Sequence, residues 1–237
     1  MPNSVQKVLS KEQLLKRFWP KGKKYHAQSD SFISKYKDKI IVIKYGGYAL
    51  TKSQLVKSFA KNITLLSKMG IKVVVVHGGG PQIEKELRKR KIKDREFQGL
   101  RITNKKILAI VKSILARQLN KMILNEINKC GGNAKSINGI NTKIIKAKFM
   151  MGGKLGFVGE PTSLNKKYLS KLLSEGIIPI ISPIGYDNRK NSYNINADTA
   201  AGFIAESLQA QRLLLLTDVA GVLDKDRKLI VELNHKK

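Results

Sequence analysis

Two short apolar runs in this 237-residue chain end on lysine and glycine. Lys44-Tyr45-Gly46-Gly47 follows Ile40-Ile41-Val42-Ile43, and Val73-Val74-Val75-Val76 leads into His77-Gly78-Gly79-Gly80-Pro81. Glycines leave the backbone bare, so N–H groups at such a junction can approach an anion closely. A helix starting there adds the positive end of its dipole. Lys44 supplies a full positive charge beside them. Binding and transfer of phosphate is chemistry that uses this combination. Other phosphate motifs are absent. The sequence has neither the G-x-x-x-x-G-K-[ST] loop of P-loop enzymes nor the G-x-G-x-x-G of dinucleotide folds and protein kinases. His26, His77 and His235 lie far apart, and no His/Cys/carboxylate cluster has metal-ligand spacing. At a strand end beside glycines, His77 is expected to make a structural hydrogen bond.

The elements that must position these residues alternate along the chain. The two β-branched runs read as strands buried on both faces. Phe32, Ile33 and Tyr36 share a helical face before the first strand. Thr51 with Gln54 has the spacing of a capping box opening a helix over Leu55, Val56, Phe59, Ile63 and Leu66, and Gly70 stops it. Pro81 suits the first turn of the next helix. Ile107–Ile127 predicts a long amphipathic helix ended by Gly131-Gly132. Ile144–Val158, broken at Gly152-Gly153, alternates like a hairpin. Leu164–Leu173 then reads as a helix, Ile177–Ile181 as a strand, Ala197–Leu208 as a helix and Leu213–Leu216 as a buried strand. Strands alternating with helices predict an α/β fold whose largely parallel sheet is covered on both faces.

Composition narrows the class. Hydrophobic residues make up 42%, enough for a sizeable core, and no apolar stretch is long enough to span a membrane. The N-terminus carries Lys7, Lys11, Lys16 and Arg17 without an apolar segment, so no secretory signal is read. Cys130 is the only cysteine, which excludes an intrachain disulfide and fits a cytoplasmic location. The net charge of +29 invites a nucleic-acid reading. The lysines are scattered, however, and lack interleaved aromatics to stack bases, so no specific nucleic-acid partner is expected.

Six blocks in order now carry a resemblance. They are Ile41-Val-Ile-Lys44-Tyr-Gly-Gly47, Val76-His-Gly-Gly-Gly-Pro-Gln82, Gly99-Leu-Arg101-Ile-Thr103, Gly156-Phe-Val-Gly-Glu160, Tyr193-Asn-Ile-Asn-Ala-Asp198 and Leu216-Thr-Asp-Val-Ala-Gly-Val-Leu-Asp224. From about Phe32 to Leu233 the chain resembles the amino acid kinase family, in the branch that phosphorylates the side-chain carboxylate of N-acetyl-L-glutamate. The resemblance implies an αβα sandwich on an open, mostly parallel sheet. It implies the second step of arginine biosynthesis, with ATP as donor and Mg2+ held mainly by the nucleotide phosphates. Residues 1–30 would be an N-terminal extension, 31–185 the acetylglutamate-binding half and 186–237 the start of the ATP-binding half.

By resemblance, Lys44 holds the transferring phosphoryl group and Asp198 orients the catalytic lysine. Gly79 and Gly80 assist at the substrate, Arg101 pairs with its α-carboxylate, and Asn194 hydrogen-bonds it. Gly46, Gly47, Thr217 and Asp218 belong to the nucleotide site. Inside Asn194-Ile-Asn-Ala-Asp198, Asn196 suffices as the helix N-cap, which leaves Asp198 for the site. The family pattern continues into a Gly-Gly-Met-Ile-Pro-Lys block that supplies a second phosphate-binding lysine. That block is not in this sequence, so the expectation is a C-terminally truncated chain with an incomplete nucleotide half and turnover left open. A homo-oligomer is implied, either a dimer or a hexamer interlaced through an N-terminal helix that ends near Phe32–Tyr36. N-acetyl-aminoadipate as acceptor and a non-catalytic relative that binds acidic amino acids are the competing readings. Arginine feedback is left open.

Overall fold

The computed structural model describes residues 10, 12–13, 27–219, 221–226 and 228–232. Most of the predicted 1–30 extension therefore lies outside the described residues. Helix α1 (Ala27–Tyr36), in which Phe32, Ile33 and Tyr36 fall as expected, is followed by strand β1 (Ile40–Tyr45). Helix α2 (Ser53–Lys68), strand β2 (Lys72–His77) and helix α3 (Gly80–Lys89) form the next repeat of the alternation. A two-residue hairpin, β3 (Glu96–Phe97) and β4 (Leu100–Arg101), precedes the long helical stretch of α4 (Lys105–Lys112) and α5 (Asn120–Lys129). Strands β5 (Ala134–Ile137), β6 (Ile145–Phe149) and β7 (Gly159–Leu164) lead to helix α6 (Lys166–Ser174). After it come β8 (Ile178–Ile181), β9 (Ile184–Tyr186), β10 (Ser192–Asn194), helix α7 (Ala197–Ser207) and β11 (Arg212–Leu216).

The main sheet runs β11-β1-β2-β8-β5, and every pairing in it is parallel. Its two faces are set by strand alternation. Ile41, Ile43, Tyr45, Val73, Val75, Ile178 and Ile180 pack with residues of α2, α3, α4 and α5. Val42, Val74, Val76 and Ile181 pack with residues of α6 and α7 on the other side. The result is the expected αβα sandwich. A smaller sheet, β10-β9-β6-β7, is mostly antiparallel.

Four local readings are corrected. Thr51 does not cap α2: its hydroxyl donates to the Tyr48 carbonyl at 2.7 Å within a short 3₁₀ turn, and Lys52 takes the N-cap position with no side-chain cap. The hairpin after Ile144 does have its turn at Met150–Gly153, but its second arm starts only at Gly159. The intervening chain is diverted, because Gly156 and Val158 bridge to Thr103 and Asn194. The long helix is not uniform, since Ser113–Leu119 between α4 and α5 is wound as a π-helix. Finally, β11 is not buried: Leu213–Leu216 are 37–49% exposed. β11 pairs only with β1 in the described sheet, and leucine content reports hydrophobicity rather than place in the sheet.

Candidate active site

β1, β2 and β11 all end at the same edge of the sheet, their C-terminal edge, where ligands of open α/β sheets bind. A cleft of about 590 Å³ opens there, and all ten sequence-predicted site residues line it. Lys44, Gly46 and Gly47 come from the end of β1, Gly79 and Gly80 from the start of α3, and Arg101 from β4. Asn194 comes from β10, Asp198 from the first turn of α7, and Thr217 and Asp218 from the residues after β11.

Backbone packing explains the glycines. A Cβ on Gly47 would lie 2.9 Å from Gly80 N, 2.9 Å from Pro81 Cδ and 3.0 Å from Gly79 N. The two glycine junctions are therefore in direct backbone contact, and only glycine fits between them. Gln82 ties them from the side by donating Nε2–H to the Gly47 carbonyl at 2.9 Å. Gly79 is the N-cap of α3 and offers no side-chain cap, so the helix start keeps its amides for another acceptor. Gly156 has a similar packing role elsewhere: it lies at positive φ, and a Cβ there would collide with the Thr103 carbonyl. Thr103 and Phe157 can therefore join by a backbone hydrogen bond.

Lys44 lies on the sheet face covered by α7. Its Nζ is 3.0 Å from Asp198 Oδ1, with the lysine side chain 12% exposed. Asn196 caps α7 as expected, accepting from the amides of Asp198 and Thr199. Asp198 is thereby released from capping and reaches Lys44. Arg101 stands on the far wall, where Gln98 and Gly99, both at positive φ, make the tight turn of its hairpin. Asn194 Nδ2 donates to Thr103 Oγ1 at 3.2 Å, and that hydroxyl donates to the Arg101 carbonyl at 2.7 Å. The two predicted substrate-binding residues are thus joined through one threonine.

His77 has the structural role expected of it. It is fully buried; its Nδ1–H donates to the Gly78 carbonyl at 3.0 Å, and Nε2 faces Ser182 Oγ and Asn120 Nδ2. Burial pushes its pKa down to about 4, so the ring is neutral at pH 7. Sequence reasoning missed the carboxylates around Arg101. Asp94 accepts from Arg101 Nε at 2.9 and 3.1 Å, and Glu84 accepts from Nη2 at 3.3 Å. Neither belongs to a glycine block: Asp94 meets Arg101 across the β3–β4 hairpin, and Glu84 meets it from α3. Thr217 and Asp218 bond each other, Oγ1 to Oδ1, at 3.2 Å.

A parallel αβα sandwich with a lysine and bare helix-start amides at its C-terminal edge defines a protein built to bind anionic phosphate groups. Residues 39–236 match the amino acid kinase family, and the chain belongs to that family. Acetylglutamate kinase of Rhodospirillum centenum is 45% identical over 215 residues, covering 86% of this chain and 70% of its own length. Acetylglutamate kinase of Campylobacter curvus is 44% identical over 204 residues, covering 86% of this chain and 73% of its own length. Among solved structures, smu.665 of Streptococcus mutans is 32% identical with a TM-score of 0.72, over 78% of this chain and 75% of that one. N-acetylglutamate synthase of Neisseria gonorrhoeae, at 22% identity and a TM-score of 0.75 over 85% of this chain and 46% of that one, shares the fold.

Proposed function

We propose that this protein transfers the γ-phosphoryl group of ATP to the side-chain carboxylate of N-acetyl-L-glutamate, the second step of arginine biosynthesis. A carboxylate oxygen attacks the γ-phosphorus, the bond to the β-phosphate oxygen breaks, and N-acetyl-L-glutamyl 5-phosphate and ADP result. The attacking group has a free pKa near ~4.3 and is already ionised at neutral pH, so no general base is required. What the reaction needs is alignment and neutralisation of charge on the transferring oxygens.

One observation carries this reading: Lys44, the Gly47 and Gly79-Gly80 backbone and Arg101 line a single cleft. In our assignment Lys44 and the α3 amides hold the transferring phosphoryl group, and Asp198 keeps Lys44 in place. Arg101 takes the α-carboxylate of the acceptor, and Asn194 adds a hydrogen bond. Gly46, Gly47, Thr217 and Asp218 serve the nucleotide. The glycine-lined end of the cleft, with Lys44 beside it, fits a phosphate chain. Among the described residues no group of three or more His, Cys, Asp or Glu side chains could hold a metal ion. In this reading Mg2+ travels mainly on the nucleotide phosphates, where it would offset their charge. We assign 31–185 to the acetylglutamate half and 186–237 to the nucleotide half, and we place the enzyme in the cytoplasm as a homo-oligomer. Among the described residues no helix is long and apolar enough to cross a membrane.

The test is a hydroxylamine trap for the acyl phosphate in MgATP, offered N-acetyl-L-glutamate or N-acetyl-L-aminoadipate. The glutamate compound should be the better acceptor. Lys44→Ala should slow its turnover about 10²–10³-fold, the scale for removing one group that stabilises a transition-state oxyanion. Full activity in Lys44→Ala, or a preference for aminoadipate, would overturn the assignment.

A further inference from the structure

Although the chain carries +29, its cleft is lined by several carboxylates, and one of them occupies a place suited to a ligand. Glu84 lies within α3. Its Oε1 is 3.3 Å from Arg101 Nη2, and the same oxygen lies 3.6 Å from where a Cβ of Gly80 would be. The side chain thus leans back toward the start of its own helix, as long helical side chains do. There it faces the positive end of the helix dipole and bare amides. Glu84 therefore sets a carboxylate between a helix start and the guanidinium nitrogen that would receive a substrate carboxylate.

Asp94 has a different position on the same arginine. Both of its oxygens accept from Nε, at 2.9 and 3.1 Å, which fixes the guanidinium plane while leaving the terminal nitrogens for another acceptor. The Asp94 side chain is 26% exposed and that of Glu84 is 47% exposed. Glu84 is the one with room to swing out, and only Nη2 is released when it leaves.

We infer that Glu84 is a built-in competitor for the carboxylate of the anionic substrate, displaced from Arg101 as the substrate binds. The inference rests on the substrate reading given above. The apparent Kd is then the intrinsic Kd divided by the fraction of molecules in which Arg101 is free of Glu84. The contact also keeps Arg101 occupied against small anions that cannot repay its loss.

Calorimetry with Glu84→Gln and the intact protein tests this. Removing the charge at constant shape should tighten N-acetyl-L-glutamate binding about fivefold, the scale of a partly exposed ion pair. Its α-amide, which lacks the carboxylate, should gain nothing. Glu86→Gln, on the same helix but paired with Arg90, should change neither. Unchanged or weaker binding of the acid by Glu84→Gln, or an equal gain for the amide, would overturn the inference. If neither compound binds the wild-type protein, the substrate reading fails. Acetate then decides the matter, followed by NMR at the Arg101 side chain: its half-saturation must fall in Glu84→Gln, and no change refutes the competitor role.

Discussion

Gly47→Ala should slow catalysis out of proportion to its effect on folding. The added Cβ would lie 2.9 Å from Pro81 Cδ, whereas carbon atoms attract best at about 3.5–4.0 Å. The two glycine junctions must therefore part by about 0.6 Å or more. The obstacles are backbone atoms of Gly79 and Gly80 and the ring of Pro81, so no side-chain rotation relieves the contact. The Gln82 bond to the Gly47 carbonyl is stretched by the same movement. Overpacking of this kind costs about 1–3 kcal/mol of stability. A 1 Å displacement of reacting groups can cost about 100-fold in rate, so this one should cost about tenfold or more. The assay is initial-rate acyl phosphate trapping at saturating substrates, alongside urea unfolding. Gly176→Ala is the control: its φ is +68° with nothing within 4 Å of an added Cβ. It should lose about 1 kcal/mol by backbone strain alone and keep its turnover. Wild-type kcat in a destabilised Gly47→Ala, or an equal loss of kcat in Gly176→Ala, would refute the reasoning.

Three further outcomes are expected. Arg101→Ala should weaken N-acetyl-L-glutamate binding by about 1–3 kcal/mol in calorimetry, the scale of a lost charged hydrogen bond. His77 titrates at about 4 when folded against 6.5 as a free group, so protonation favours the unfolded chain. Its contribution is complete above pH 6.5, is lost as pH falls toward 4, and amounts to about 3 kcal/mol. Urea unfolding of wild type and His77→Asn across that window should show the difference in slope. Gly202, inside α7 with no atom within 4 Å of an added Cβ, should gain about 0.5–1 kcal/mol on Gly202→Ala, read as a higher Tm.

Much of the sheet was legible because Ile40–Ile43 and Val73–Val76 are β-branched and end on glycine, a pattern that leaves few alternatives. The co-location of Lys44, Arg101 and Asp198 was legible only through the order of the blocks, since they are far apart in sequence. The capping box at Thr51 failed because a hydroxyl can equally serve the carbonyl three residues back, and spacing alone does not choose. β11 failed because four leucines look alike at the edge and at the centre of a sheet. Glu84 and Asp94 carry no local signal, because their significance comes from a hairpin that brings Arg101 to them.

The π-wound turn at Ser113–Leu119 has a consequence for chain length. Asn120 N–H bonds back to the Leu115 carbonyl, five residues earlier, so this stretch holds one residue more than an α-helical ladder would. Ser182 Oγ also reaches that carbonyl, at 3.3 Å. Deleting a single residue here would restore an ordinary helix and leave the two flanking helices facing nearly as they do now, because the wider π winding spreads its extra residue over almost the same total rotation. Ile107, Ile110 and Val111 before it and Ile123 and Ile127 after it, all in the core, would stay on their present side. Within these seven residues a one-residue gap should therefore be tolerated, whereas the same gap in the α-helical turns on either side would rotate one buried face by about 100° and should cost far more.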